Sequence, residues 1–258
     1  MSGLSLYKDK GTWLNRLHPF TKLLYVLAAI LIPLIGGKLF LFPLVIAMSL
    51  ILLITGRVFK HALPLVAFSF TLIIVIFLIQ GLFYHKNENP IFSIWVLTFY
   101  REGMLYALRI ALNIINMLLS FAVFVLTTSP QDLVEEMEKK GFSPKFGYVI
   151  NSVFQIVPQM MKTKDTIVDA QRSRGMETEG SVLTRIKAFL PLISPVVMSA
   201  LINTRERAIA LEVRGFGRKN KRSYISERQK NPADTVVSLV LVIMIILVII
   251  WRVLTWQS

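Results

Sequence analysis

Two arginines hold matching places in two seven-residue stretches, Ala170-Gln171-Arg172-Ser173-Arg174-Gly175-Met176 and Ala210-Leu211-Glu212-Val213-Arg214-Gly215-Phe216. Each reads Ala, three residues, Arg, Gly, then a bulky apolar residue. Either stretch alone reads as an ordinary helix stop: arginine complements the dipole of the last turn, and glycine takes the left-handed cap. The repetition points further. A guanidinium at a helix tip presents a planar fork to a carboxylate. The apolar residue after each glycine, Met176 or Phe216, is a knob for a partner's groove. The chemistry such ends can do is recognition, and two of them on linked helices make a two-point dock.

Bond-breaking chemistry has no comparable basis. The chain has no cysteine, which excludes thiolate metal sites and disulfides, and its three histidines (His18, His61, His85) stand at no metal-ligand spacing. Neither His-Glu-x-x-His, nor Gly-x-Ser-x-Gly, nor the phosphate loop Gly-x-x-x-x-Gly-Lys-[Ser/Thr] occurs. Without that loop the chain cannot hydrolyse ATP by that route. The acidic run Asp132, Glu135, Glu136, Glu138 lies beside Lys139 and Lys140 and reads as a solvated helix face with dipole-matched ends. A non-enzyme with no cofactor and no metal is expected.

The elements that position the two arginines belong to a membrane protein. Of 258 residues, 54% are hydrophobic, and the mean hydropathy is +0.61. Five apolar runs suit transmembrane helices: Pro19–Gly37, Leu39–Thr55, Ala62–Tyr84, Met104–Thr128 and Thr235–Trp256. His18-Pro19 is a good helix start, Lys22 can snorkel, and Trp251 and Trp256 are interfacial aromatics. The first run continues into the second without a cleavage site, so no cleavable signal peptide is expected. Between the third and fourth runs, Ile91–Phe99 is too short to cross and is expected at the outer surface. In the fourth run Arg109, Asn113 and Asn116 share a face; the arginine is expected to snorkel, and the asparagines to pair with neighbouring helices or face a partner. Gln80 is expected to be structural.

Charge orients the chain. Fifteen lysines and arginines flank the inner ends of these runs and three (Lys38, Lys86, Arg101) lie outside, which puts the amino terminus in the cytoplasm and the carboxyl terminus outside. The same asymmetry explains the net charge of +14 as attraction to anionic lipid, and nucleic acid is not expected as a partner. The expected organisation is helices 1 to 4 over 1–128, cytoplasmic helices over 129–234, and a final span over 235–258.

Within 129–234, Ser129-Pro130-Gln131-Asp132 starts a helix that stops at Lys139-Lys140-Gly141. Ser143-Pro144 starts a second, ending at Arg174-Gly175, and Ser181 can cap a third, ending at Arg214-Gly215. Pro158, Pro191 and Pro195 imply kinks or breaks. Two parts are strongly apolar, Phe146–Met161 and Ala188–Ile202. If both crossed the bilayer, Lys162, Lys164, Arg172, Arg174, Arg185 and Lys187 would lie outside, against the charge rule. Long helices beneath or partly in the membrane are expected instead.

The chain resembles the transmembrane (T) component of energy-coupling factor transporters, the ABC-type importers of vitamins and transition metals. Trp13-Leu14-Asn15-Arg16-Leu17-His18-Pro19-Phe20-Thr21-Lys22-Leu23-Leu24 is similar to that family's amino-terminal signature. Pro130-Gln131-Asp132-Leu133 through Ala170-Gln171-Arg172-Ser173-Arg174-Gly175 resembles its first coupling region, and Arg205 through Gly217 its second. The resemblance implies an all-α integral membrane protein with coupling helices whose two Ala-Arg-Gly triplets contact a pair of cytosolic ATP-binding subunits. Carried onto this sequence, the triplets are Ser173-Arg174-Gly175 and Val213-Arg214-Gly215, with Arg172, Met176 and Phe216 as supporting contacts. Both depart from alanine at the first position, more so at bulky Val213. The resemblance further implies a separate substrate-binding membrane subunit, and no substrate pocket in this chain.

Two other readings compete. The coupling loop of conventional ABC permeases can be matched to Asp169-Ala170-Gln171, Gly175 and Leu190-Pro191, but it leaves the second Arg-Gly end without a role. An autonomous channel or secondary transporter predicts transport by this chain alone in liposomes, where an energy-coupling subunit predicts none.

Overall fold

The structure is a computed structural model that describes residues 7, 10–85, 89–94, 97–175, 182–216 and 232–256. It divides into two compact units, one over 138–227 and one over 5–137 with 228–258.

The larger unit holds the membrane helices. A one-turn helix α1 (Trp13–Arg16) precedes α2 (Pro19–Gly36), α3 (Leu41–Thr55), α4 (Phe59–Phe83), α5 (Arg101–Thr127) and α6 (Pro130–Lys139), and α9 (Pro232–Trp256) returns to it. Helix α2 starts as the sequence predicts, with Pro19 in its first turn, and ends on Gly37 at φ +68°. Among the described residues, four helices are long and apolar enough to cross a membrane: α2, α4, α5 and α9. Helix α3 is equally apolar but has 15 residues, about 22 Å of helix against a hydrocarbon layer of about 30 Å. The second of the five expected spans is therefore short, because Thr55-Gly56-Arg57 stops the helix and Arg57 takes a left-handed backbone (φ +55°).

Helices α2 and α5 form the centre. Of the most apolar window in each, 56% and 44% is buried, against 17% in α4 and 6% in α9, which turn most of their apolar surface outward. Small residues let the central helices approach: Ala28 and Ala29 on α2 and Ala122 on α5 are buried in one cluster. Polar side chains in this core find partners across helices. The Tyr25 hydroxyl is 2.7 Å from Ser49 Oγ, which lies 3.4 Å from Ser120 Oγ, joining α2, α3 and α5. Asn116 Nδ2 donates to the Ala29 carbonyl at 2.7 Å, the helix pairing that is one of the two roles open to it, while Arg109 is exposed.

The segment before α5 departs from an all-helical reading. It forms an antiparallel hairpin, β1 (Pro90–Ile94) with β2 (Leu97–Tyr100), with Ile94 opposite Leu97. Aromatic and β-branched residues in a run too short to cross suit paired strands. The Arg101 N–H donates to the Asn89 carbonyl, and Asn89 Nδ2 to Glu102 at 2.7 Å, closing the hairpin onto the first turn of α5.

The smaller unit is built on α7 (Pro144–Ser173) and α8 (Val182–Val213), with 30 and 32 residues. Neither is among the helices long and apolar enough to cross. Both run unbroken through the prolines expected to kink or break them, Pro158 in α7 and Pro191 and Pro195 in α8. Glu138 lies against Gly147, where a side chain would have no room. Ser181 lies outside the described residues.

Candidate functional site

Helix α7 ends at Ser173, with Arg174 as its C-cap and Gly175 just beyond at φ +84°. The Gly175 N–H donates to the Arg172 carbonyl at 3.0 Å and the Arg174 N–H to Gln171 at 3.1 Å. Ser173 turns its hydroxyl back to the Asp169 carbonyl at 3.1 Å, so it finishes the helix. Arg172, Ser173, Arg174 and Gly175 are all exposed. Met176, expected as the apolar knob here, lies outside the described residues.

Helix α8 ends in the same way. Gly215 has φ +70°, its N–H donates to Glu212 at 2.9 Å, and the Phe216 N–H reaches back to Leu211 at 3.0 Å. That pair of bonds is the Schellman arrangement, which needs a left-handed residue between the helix and its exit and so places glycine after the arginine. Arg214 is exposed, and Val213 is 84% exposed. An aliphatic side chain so bare beside a guanidinium is suited to burial by a partner. Phe216 is half-buried, with its ring edge-on to Tyr148 of α7 at 4.9 Å between centroids. The apolar surface offered at this tip is therefore Val213, while Phe216 is engaged within the unit.

Helices α7 and α8 are antiparallel. Arg207 donates to Gln159 Oε1 at 2.7 Å, and Ile156, Gln159 and Thr163 face Ser199, Asn203 and Arg207 across a small cleft. The second tip lies beside Tyr148, near the start of α7, and the first tip is the end of α7. At about 1.5 Å per residue, Arg174 lies about 39 Å from Tyr148 along the helix. The two arginines thus cap opposite ends of one helix pair, too far apart for a single groove. Among the described residues no group of three or more His, Cys, Asp and Glu could hold a metal ion.

A second polar constellation escaped the sequence reading. His18, Lys22, Glu136 and Asp234 are all buried, where Lys22 was expected to snorkel and Glu136 to sit on a solvated face. His18 caps α2: its Nδ1 accepts from the Phe20 N–H at 3.3 Å, which leaves Nε2 to donate to Glu136 Oε2 at 2.8 Å. The His18 backbone N–H donates to Asp234 Oδ1 at 2.8 Å, at the start of α9. Lys22 Nζ donates to the carbonyl of Thr127 at 2.7 Å, satisfying an orphan acceptor at the end of α5. Burial explains each departure: a charged group shielded from water must find a fixed partner. The sequence signal that was available is the spacing of Asn15, His18 and Lys22, polar residues three and four apart where an apolar helix begins.

Comparison with known proteins agrees with this architecture. A family model described as the cobalt transport protein CbiQ matches residues 10–225. The energy-coupling factor transporter transmembrane protein EcfT of Staphylococcus aureus (strain 04-02981) is 28% identical over 258 residues, covering 94% of this chain and 94% of its own. The protein of that name from Lactococcus lactis subsp. cremoris (strain MG1363) is 26% identical over 253 residues, covering 92% and 93%. The Bacillus subtilis (strain 168) one is 27% identical over 221 residues, covering 81% and 83%. The predominantly helical membrane fold and the family match over most of the length agree, and the chain belongs to the CbiQ cobalt transport family, as a transmembrane T component of energy-coupling factor transporters.

Proposed function

We propose that this chain links two cytosolic ATPases to a separate substrate-binding membrane protein in an importer of vitamins or transition metals. It transmits force and hydrolyses nothing itself. The observation that carries the reading is the pair of exposed arginine caps at opposite ends of the α7–α8 hairpin. Each tip offers a guanidinium to a carboxylate on one ATPase, and at the second tip Val213 adds an apolar contact. Two sockets about 39 Å apart along a helix suit two subunits, one on each tip. Closure of the ATPases on ATP would move the two tips, and the helix pair would carry that motion toward the membrane. The basic inner flanks support a cytoplasmic position for the tips and the amino terminus.

The test is co-purification. Arg174→Glu with Arg214→Glu is expected to lose the ATPase pair while the membrane part stays folded, since both side chains are exposed. Recovery of the ATPases at wild-type yield would remove the docking assignment.

A further inference from the structure

We propose that His18 is a positioning residue for energy transmission: its bond to Glu136 fastens α6, the helix that leads into α7, to the first and last membrane spans. This rests on the coupling role proposed above. Three observations support it. First, α6 buries few of its side chains. Of its ten residues only Val134 and Glu136 are buried. Second, the bond at the buried position is short, at 2.8 Å, and His18 itself is 3% exposed. A hydrogen bond to a carboxylate shielded from water is strong and directional. Third, His18 is itself held at three points. Its Nδ1 accepts from Phe20, its backbone N–H donates to Asp234 on α9, and its carbonyl accepts the N–H of Thr21 at 3.0 Å. The backbone of His18 is thereby tied to the starts of α2 and α9, and the ring joins that anchor to Glu136. Displacement of α6 must therefore carry the starts of α2 and α9 with it, or break the bond.

The bland alternative is that His18 is simply a helix cap. Serine would serve that purpose equally well, since its hydroxyl accepts from the same amides. It cannot reach Glu136. The His18→Ser variant therefore separates the two roles, and Glu136→Ala removes the bond from the other side with the cap intact. Glu136→Gln keeps an oxygen that can accept from Nε2.

The chain has no cysteine, so spin labels can be placed on Lys60→Cys at the start of α4 and Gln131→Cys on α6, both exposed. In the full chain in lipid nanodiscs, the label distance is expected to be narrowly distributed in wild type and Glu136→Gln. It is expected to broaden and shift in His18→Ser and Glu136→Ala. With the ATPase pair bound, trapping with ATP and vanadate should leave this distance unchanged in wild type and shift it in the two broken variants. A cap or a purely structural role does not produce that nucleotide-dependent slip. Equal, narrow distributions in wild type and Glu136→Ala would overturn the proposal, as would a Glu136→Gln distribution as broad as that of Glu136→Ala. If His18→Ser does not fold, Glu136→Ala decides. Failure of the ATPases to bind the wild-type chain would instead count against the docking reading, and the nucleotide-free distances would still decide this one.

Discussion

Arginine at position 174 and at position 214 stands where the helix has run out of internal partners for its carbonyls, and glycine follows each at positive φ. The backbone geometry dictates the order of the two residues. An L-residue in the left-handed region costs about 1–2 kcal/mol, so glycine takes the exit and arginine is left exposed at the tip. Gly215→Ala is therefore expected to destabilise the end of α8 by about 1 kcal/mol, seen as faster hydrogen exchange of the Gly215 and Phe216 amides with the spans unchanged. At Val213 the expectation is the reverse. Its side chain is almost wholly exposed, so Val213→Asp should leave thermal stability within about 0.5 kcal/mol and still weaken ATPase co-purification. If binding is unaffected, Val213 is no part of the dock.

Among the elements, α5 shows how a helix with polar residues is kept in a membrane. Its asparagine at 116 is fully buried and donates to the Ala29 carbonyl on α2, where two alanines bring the backbones together. Removing that bond should cost about 1 kcal/mol, within the range of hydrogen bonds between membrane helices, with some packing loss added. Asn116→Ala should thus unfold at lower denaturant, and Arg109→Gln, at an exposed position, should not. Helix α3 is the opposite case, short of the hydrocarbon thickness by about 8 Å. Its length is set by Gly56 and the left-handed Arg57. Gly56 is itself buried, and a side chain there would press on Leu14 of α1. The turn after α3 is thus part of the packing of the amino-terminal signature.

For the whole molecule, the uneven burial of the spans divides the labour. Helices α2 and α5 make the core, while α4 and α9 present apolar faces to lipid or to a membrane partner. The charge asymmetry predicts which side is which. With no native cysteine to interfere, Arg57→Cys should react with a membrane-impermeant maleimide only after the membrane is opened, and Lys38→Cys should react from outside. Reversed labelling would invert the topology and put the Arg-Gly tips on the wrong side for cytosolic ATPases.

The sequence by itself determined the membrane class, the helix starts at Pro19, Pro130 and Pro144, and the two Arg-Gly stops. These are local effects of apolar run length, proline at the first turn and glycine at positive φ, all legible within a few residues. It also led to the family through short motifs. Pairing over distance was not legible. The spacing of Asn15, His18 and Lys22 marks a polar face but names no partner: Lys22 caps α5, and Glu136 meets His18 across 118 positions of chain. The pairing of Pro90–Ile94 with Leu97–Tyr100 and the turn of Phe216 onto Tyr148 are likewise tertiary outcomes. Only packing decides which polar groups lose water, and a group that loses water must take whatever partner the fold brings to it.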